Sequence, residues 1–250
     1  DILRDRAQAS GDKIAYRFLV DGDKEELTLT YGQLHQRALA IAARLKDEAK
    51  PGDRALLLYP PGLEFICAFF GCLYAGVIAV PAYPPGKSRL AQNVKRLELL
   101  SRNCTPAVVL CDDDIRDVLN DSITDEIQQA VLTQVDINPL QNSSLLALLK
   151  AKVISTSLIN DSVSESIIVT PKLDDLAFLQ YTSGSTGNPK GVMVNHGCLI
   201  TNSSVIKKSY HHNAECIMAS WLPQYHTRGH TDDQPQVGIF PPLRIAQKRL

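Results

Sequence analysis

Three short apolar runs constrain the fold most: RALLLY at residues 54–59, the stretch from Val77 to Val80, and AVVLC at residues 107–111. Each is too short and too uniformly apolar for a surface element, so each reads as a strand covered on both faces. The segments between them carry a helical period instead. From Thr30, a residue able to cap a helix, Leu34, Ala38, Ile41, Ala42 and Leu45 recur at helical spacing. A second helix is predicted over residues 62–75, and a third places Leu90, Val94, Leu97 and Leu100 on one face. The acidic run Asp112 to Asp114 suits a helix N-terminus. Strands alternating with helices over this many units predict an α/β fold with a mostly parallel sheet. Further strands are expected from Ile14 to Val20, before a turn at DGDKEE, and over residues 174–182. Residues 120–172 give no clear pattern beyond an Asn- and Ser-rich connection at 158–166.

With 250 residues, 44% of them hydrophobic and 21% charged, the composition is that of a globular chain of one large domain. A formal net charge of -1 argues against broad attraction to nucleic acid or an anionic membrane, so any anion must be bound locally. The six cysteines form no C-x-x-C pair and follow no secretory leader, which predicts buried thiols in a reducing cytoplasm. His211 and His212 lie near no cysteine or carboxylate at a ligand spacing, so no structural zinc is expected. The uncharged stretch from Phe65 to Gly86 resembles a membrane span in hydropathy. Pro81 breaks it short of the roughly 20 residues required, and a buried helix followed by a buried strand fits better.

The chemistry concentrates in YTSGSTGNPKGV, from Tyr181 to Val192. A strand delivers the chain into it and a second apolar strand, VMV at 192–194, is expected to follow. Glycines permit the backbone angles that let successive N–H groups converge on phosphate oxygens, and Ser183, Ser185 and Thr186 add hydroxyl donors. Lys190 supplies a fixed positive charge. The segment is not a Walker A loop, because its lysine follows proline and precedes Gly191, and it lacks the G-x-G-x-x-G dinucleotide pattern. A plain flexible Gly/Ser loop is the alternative, but such a linker has no need of a buried strand on each side.

The full stretch YTSGSTGNPKGVMVNH (181–196) resembles the phosphate-binding signature of the adenylate-forming enzymes: acyl-CoA synthetases, luciferases and peptide-synthetase adenylation domains. LTYGQLHQRALAIAARL (29–45) resembles the first helix of that superfamily, and residues 52–85 its early helix, strand and proline turn. SWLPQYH (220–226), taken with the VPAYPP turn, resembles the fatty acyl-AMP ligase branch, which makes acyl-adenylates for acyl carrier proteins or polyketide synthases. The resemblance implies attack of a fatty acid carboxylate on the α-phosphorus of ATP, giving acyl-AMP and pyrophosphate. It implies that Thr182, Ser183, Gly184, Ser185, Thr186 and Gly187 wrap the β- and γ-phosphates. Lys190 would neutralise them, Mg²⁺ would bridge phosphate oxygens, and Thr182 would touch the metal through its hydroxyl. Lys190 and His226 are the catalytic residues carried over, with His226 beside the acyl and α-phosphate pocket. His196 is expected to orient the loop rather than exchange protons, and Trp221 and Tyr83 to be structural.

The resemblance runs over about residues 1 to 226. Where the ligase branch continues from the histidine with D-M-G and an apolar stretch, this chain has HTRGHTDDQPQVGIFPPLRIAQKRL, in which Gly229 alone keeps register. Two units are therefore expected: residues 1–226 as a partial N-terminal AMP-binding domain and 227–250 as a divergent, poorly ordered tail arising from a shifted frame, altered splice or gene end. The acidic metal ligand, the ribose-binding aspartate and the C-terminal domain with its lysine fall later in such enzymes, which predicts a catalytically silent chain with uncovered apolar surface. A fatty acyl-AMP ligase by descent, a remnant that binds nucleotide weakly, and an acyl-CoA synthetase are the readings open at this point.

Overall fold

The computed structural model describes residues 2–20, 26–84, 90–121, 151–157, 159, 163–182, 189–211, 213, 216–220 and 237–240. The chain opens with α1 (Ile2–Ser10), the hairpin β1 (Ile14–Leu19) and β2 (Glu26–Thr30), then α2 (Tyr31–Lys46). β3 (Arg54–Leu58), α3 (Leu63–Ala75), β4 (Ile78–Ala82), α4 (Leu90–Cys104) and β5 (Val108–Cys111) alternate next. A helix α5 is described over 113–121, with β6 (Lys152–Ser155) beyond it. A 3₁₀ turn (Glu165–Ile167) leads to β7 (Leu176–Thr182), β8 (Lys190–Asn195), α6 (His196–Ser209), β9 (Met218–Ser220) and β10 (Val237–Phe240).

The main sheet has six strands in the order β6-β5-β3-β4-β7-β8, parallel throughout except for β8, which runs antiparallel to β7. This is the α/β architecture with a mostly parallel sheet that the alternating pattern predicts. β3 shows why its sequence had to be apolar on every residue after Arg54. Ala55 and Leu57 enter one core with α2 and α3, while Leu56 and Leu58 enter a second core with Leu97, Leu100 and Cys104 of α4. A smaller antiparallel sheet, β2-β1-β10-β9, stands beside it. Of residues 227–250, Val237–Phe240 are described, and they pair with both β1 and β9.

Local chemistry sets the boundaries. Thr30 starts α2 with a complete capping box, its hydroxyl accepting from Gln33 N–H at 3.2 Å while Gln33 Oε1 accepts from Thr30 N–H at 2.9 Å. Gly76 ends α3 in the left-handed region at φ 69, where a side chain would be strained. Asp112 caps α5, its carboxylate accepting from Ile115 N–H at 2.8 Å. At Gly71, a Cβ would stand 2.5 Å from Ile41 Cγ2, so α3 and α2 approach as closely as they do only because no side chain intervenes.

Two expectations need correction. The strand before the proline turn does not stop at Val80; β4 runs through Pro81 to Ala82 and pairs Leu57↔Pro81 with β3. The cost falls on the other side, where pairing of β4 with β7 is confined to Ala79↔Phe178. Pro81 has no N–H to extend that ladder. The cysteines also divide: Cys67, Cys72, Cys104 and Cys111 are buried, but Cys198 is exposed and Cys216 half-buried. Cys198 lies on α6, a helix with no buried residue. No helix among the described residues is long and apolar enough to cross a membrane; the uncharged stretch from Phe65 folds into α3 and β4.

Candidate functional site

The glycine-rich turn is carried by a β-hairpin. β7 and β8 pair as Phe178↔Val194, Leu179↔Met193, Gln180↔Val192, Tyr181↔Gly191 and Thr182↔Lys190. The last rung closes the turn, so Thr182 and Lys190 face one another across its two ends. Ser183, Gly184, Ser185, Thr186 and Gly187 lie outside the described residues, as do Trp221 and His226. Of the residues expected in the site, the structure thus places the backbone of Thr182 and the whole of Lys190. Lys190 is exposed, and no ion pair to it is formed among the described residues. A lysine in that state is available to an incoming anion without first surrendering a carboxylate.

β7 is anchored inward. Ala177 is fully buried, and the Phe178 ring meets Phe69 of α3 edge-on at 5.7 Å between centroids. β8 is the outermost strand and is not buried as expected: Val192 and Met193 are 52% and 69% exposed. The apolar run VMV signals a strand, but burial depends on a neighbour, and none covers it among the described residues. Tyr181, the last described ring before the turn, lies against Gly191 and donates its hydroxyl to Asn103 Oδ1 on the last turn of α4. Burial pushes its phenol up to about 12, with Cys104 adding to the effect. The hydroxyl therefore stays protonated, a donor, throughout the neutral range.

His196 sits at the opposite end of the hairpin from the turn, because the chain leaves Lys190 along β8 and reaches α6 only after Asn195. At ~3.4 Å per antiparallel residue the separation is roughly 20 Å, too far for direct contact with a ligand in the turn. Its own work is local. Asn195 Oδ1 accepts from Cys198 N–H at 2.7 Å to cap α6, and His196 N–H donates to Asp175 O at 3.1 Å. Burial lowers the imidazole pKa below its ordinary value, partly opposed by the Asp175 carboxylate. Sequence reasoning missed Asn103 entirely, since nothing local marks a partner 78 residues from Tyr181.

Among the described residues no group of three His, Cys, Asp or Glu side chains could hold a metal ion. At the two ends of the Gly- and Ser-rich segment 183–189 the structure places the backbone of Thr182 and the exposed Lys190 ammonium.

Fold and hairpin together define an adenylate-forming architecture, and the chain belongs to the AMP-binding enzyme family, whose model matches residues 3–234. It is 37% identical, over 97% of its length, to the medium-chain-fatty-acid–[acyl-carrier-protein] ligase JamA of Moorena producens. It is 34% identical, over 89% of its length, to the long-chain-fatty-acid–AMP ligase FadD32 of Mycolicibacterium smegmatis. Among solved structures, the fatty acyl-adenylate ligase from L. pneumophila, in complex with acyl adenylate and pyrophosphate, superimposes with a TM-score of 0.71 at 39% identity, covering 90% of this chain and 35% of that one. The chain spans 37% and 33% of the two ligases' own lengths, about a third.

Proposed function

We propose that this chain carries the polyphosphate-binding part of a fatty acyl-AMP ligase, an enzyme that activates a fatty acid with ATP, releases pyrophosphate and passes the acyl group to an acyl carrier protein or polyketide synthase module. The observation that supports it is the closing rung Thr182↔Lys190, which holds both ends of SGSTGNP on adjoining strands and leaves the lysine exposed, with no ion pair among the described residues. The similarity to ligases of medium- and long-chain fatty acids supports the acyl substrate.

In this reading ATP supplies the α-phosphorus that the carboxylate attacks. Lys190 offsets the charge of the β- and γ-phosphates, and the N–H groups and hydroxyls of Ser183 to Gly187 hold the departing pyrophosphate where its charge develops. Such donors help most when fixed before the reaction, since they then need no reorganisation as charge moves. Mg²⁺ would arrive with the nucleotide, held chiefly by phosphate oxygens and water, with Thr182 as the protein hydroxyl offered to it. His226 would orient the acyl and α-phosphate groups.

Calorimetric titration tests the proposal. ATP with Mg²⁺ is expected to bind, AMP to bind at least tenfold more weakly for want of the β- and γ-phosphates, and Lys190→Ala to weaken ATP by about tenfold, the usual scale for a charge-assisted contact. Equal affinity for AMP and ATP, or ATP binding indifferent to Lys190, overturns it.

A further inference from the structure

The glycine turn is only as well placed as the hairpin beneath it, and that hairpin sits at the edge of the sheet. Among the described residues β8 has a partner on one side alone, and α6 beyond it has no buried residue. Something else must hold the mouth of the hairpin steady. Tyr181 and Gly191 are direct cross-strand partners one rung below the turn. A Cβ built on Gly191 would stand 2.9 Å from Tyr181 Cζ and 3.2 Å from both its Cε2 and its hydroxyl oxygen, so the ring lies across the glycine. An aromatic ring laid over an edge glycine restores the packing that the missing side chain gives up.

From there the contact continues inward. The Tyr181 hydroxyl donates to Asn103 on the last turn of α4. That turn is itself fixed to the centre of the sheet by Arg54 at the start of β3. The guanidinium donates to Cys104 O at 2.7 Å, to Thr105 O at 2.9 Å and to Thr105 Oγ1 at 2.6 Å. These bonds satisfy carbonyls that a helix end leaves without partners. They also hold Thr105 at φ 42, a left-handed conformation rare for a branched residue. A continuous path of contacts therefore runs from β3 through Arg54, the end of α4 and Asn103 to the ring beside the turn.

We infer that Tyr181 is a positioning residue for the glycine turn: packed on Gly191 and bonded to Asn103, it ties the mouth of the β7–β8 hairpin to α4. Through α4 and Arg54 it ties the mouth to β3 as well. The inference rests on the polyphosphate reading above for the ligand, but the staple itself has a ligand-free signature. Without it, the Tyr181↔Gly191 and Thr182↔Lys190 rungs would open more often, and Thr182 and Lys190 would spend less time facing one another at the two ends of segment 183–189.

The test uses the whole chain with Tyr181→Phe, Asn103→Leu, the two together, Asn103→Asp, which keeps an oxygen acceptor, and Gly191→Ala, which pushes the ring aside. Hydrogen exchange of the amides of residues 189–195 without ligand reads the staple; titration with ATP and Mg²⁺ reads the positioning. Tyr181→Phe and Asn103→Leu are each expected to speed exchange and weaken ATP binding by about threefold to fivefold, the worth of one hydrogen bond. The double variant is expected to do no more than either single change, and Asn103→Asp to match the parent. Gly191→Ala is expected to cost about tenfold, because ring packing and hydrogen bond go together. Exchange unaltered in Tyr181→Phe and Asn103→Leu, additive losses in the double variant, or faster exchange at unaltered ATP affinity would each overturn the inference. A parent chain that binds no ATP would instead sink the function proposed above, and exchange would still decide whether the staple exists.

Discussion

Protonating His196 is opposed in the folded chain by its half-buried seat at the start of α6, where the helix N-terminus adds its own positive end. With its folded pKa below the unfolded one, the imidazole contributes stability that is present above about pH 6.5 and is lost as pH falls through the depressed folded value. The thermal midpoint of the parent is expected to fall between pH 7.5 and 5.5 relative to that of His196→Asn. A difference that stays constant over the range would contradict this. The residue's position was only half legible: the sequence puts it at the end of the signature, but the hairpin decides that this end lies away from the turn. Lys190 was legible as a charge beside glycines, whereas its exposure, with no carboxylate partner among the described residues, is a fact of three-dimensional neighbours.

At the scale of elements, α2 and α3 pack against each other in the larger core, and Gly71 against Ile41 permits their approach. Gly71→Ala is expected to destabilise the chain by about 1–3 kcal/mol through overpacking, read as a lower urea midpoint with an unchanged slope. Thr30→Ala, which removes one half of the α2 capping box, is expected to cost about 1 kcal/mol on the same measurement. The two sites differ in how they announce themselves. Thr30 and Gln33 declare a helix start by spacing alone, because a capping box is local. Gly71 declares nothing, because its partner is on another helix. Pro81 misleads for a related reason: a proline ends a strand only where its missing N–H was needed, and on β4 the β3 ladder did without it.

For the whole molecule, the uneven quality of burial matters most. β3, β4 and β5 are enclosed by helices on both faces, yet the β8 and α6 edge presents Val192, Met193, Ile200, Val205 and Tyr210 to solvent. An exposed edge strand with apolar side chains offers both unpaired backbone groups and a sticky face. Sedimentation velocity is expected to show concentration-dependent self-association of this chain, reduced in Met193→Lys; a monomer at all concentrations would contradict it.

The sequence by itself determined the alternation of strands and helices from β3 to β5, the mostly parallel sheet, the caps at Thr30 and Asp112, and the place of the glycine-rich segment with its lysine, because each is written in spacing among near neighbours. Tertiary structure alone decided which apolar strand is enclosed and which is left at the edge, that Gly71 lets two helices touch, and that Tyr181 reaches Asn103. Burial and long-range contact are properties of pairs of segments, and no segment carries its partner's position in its own residues.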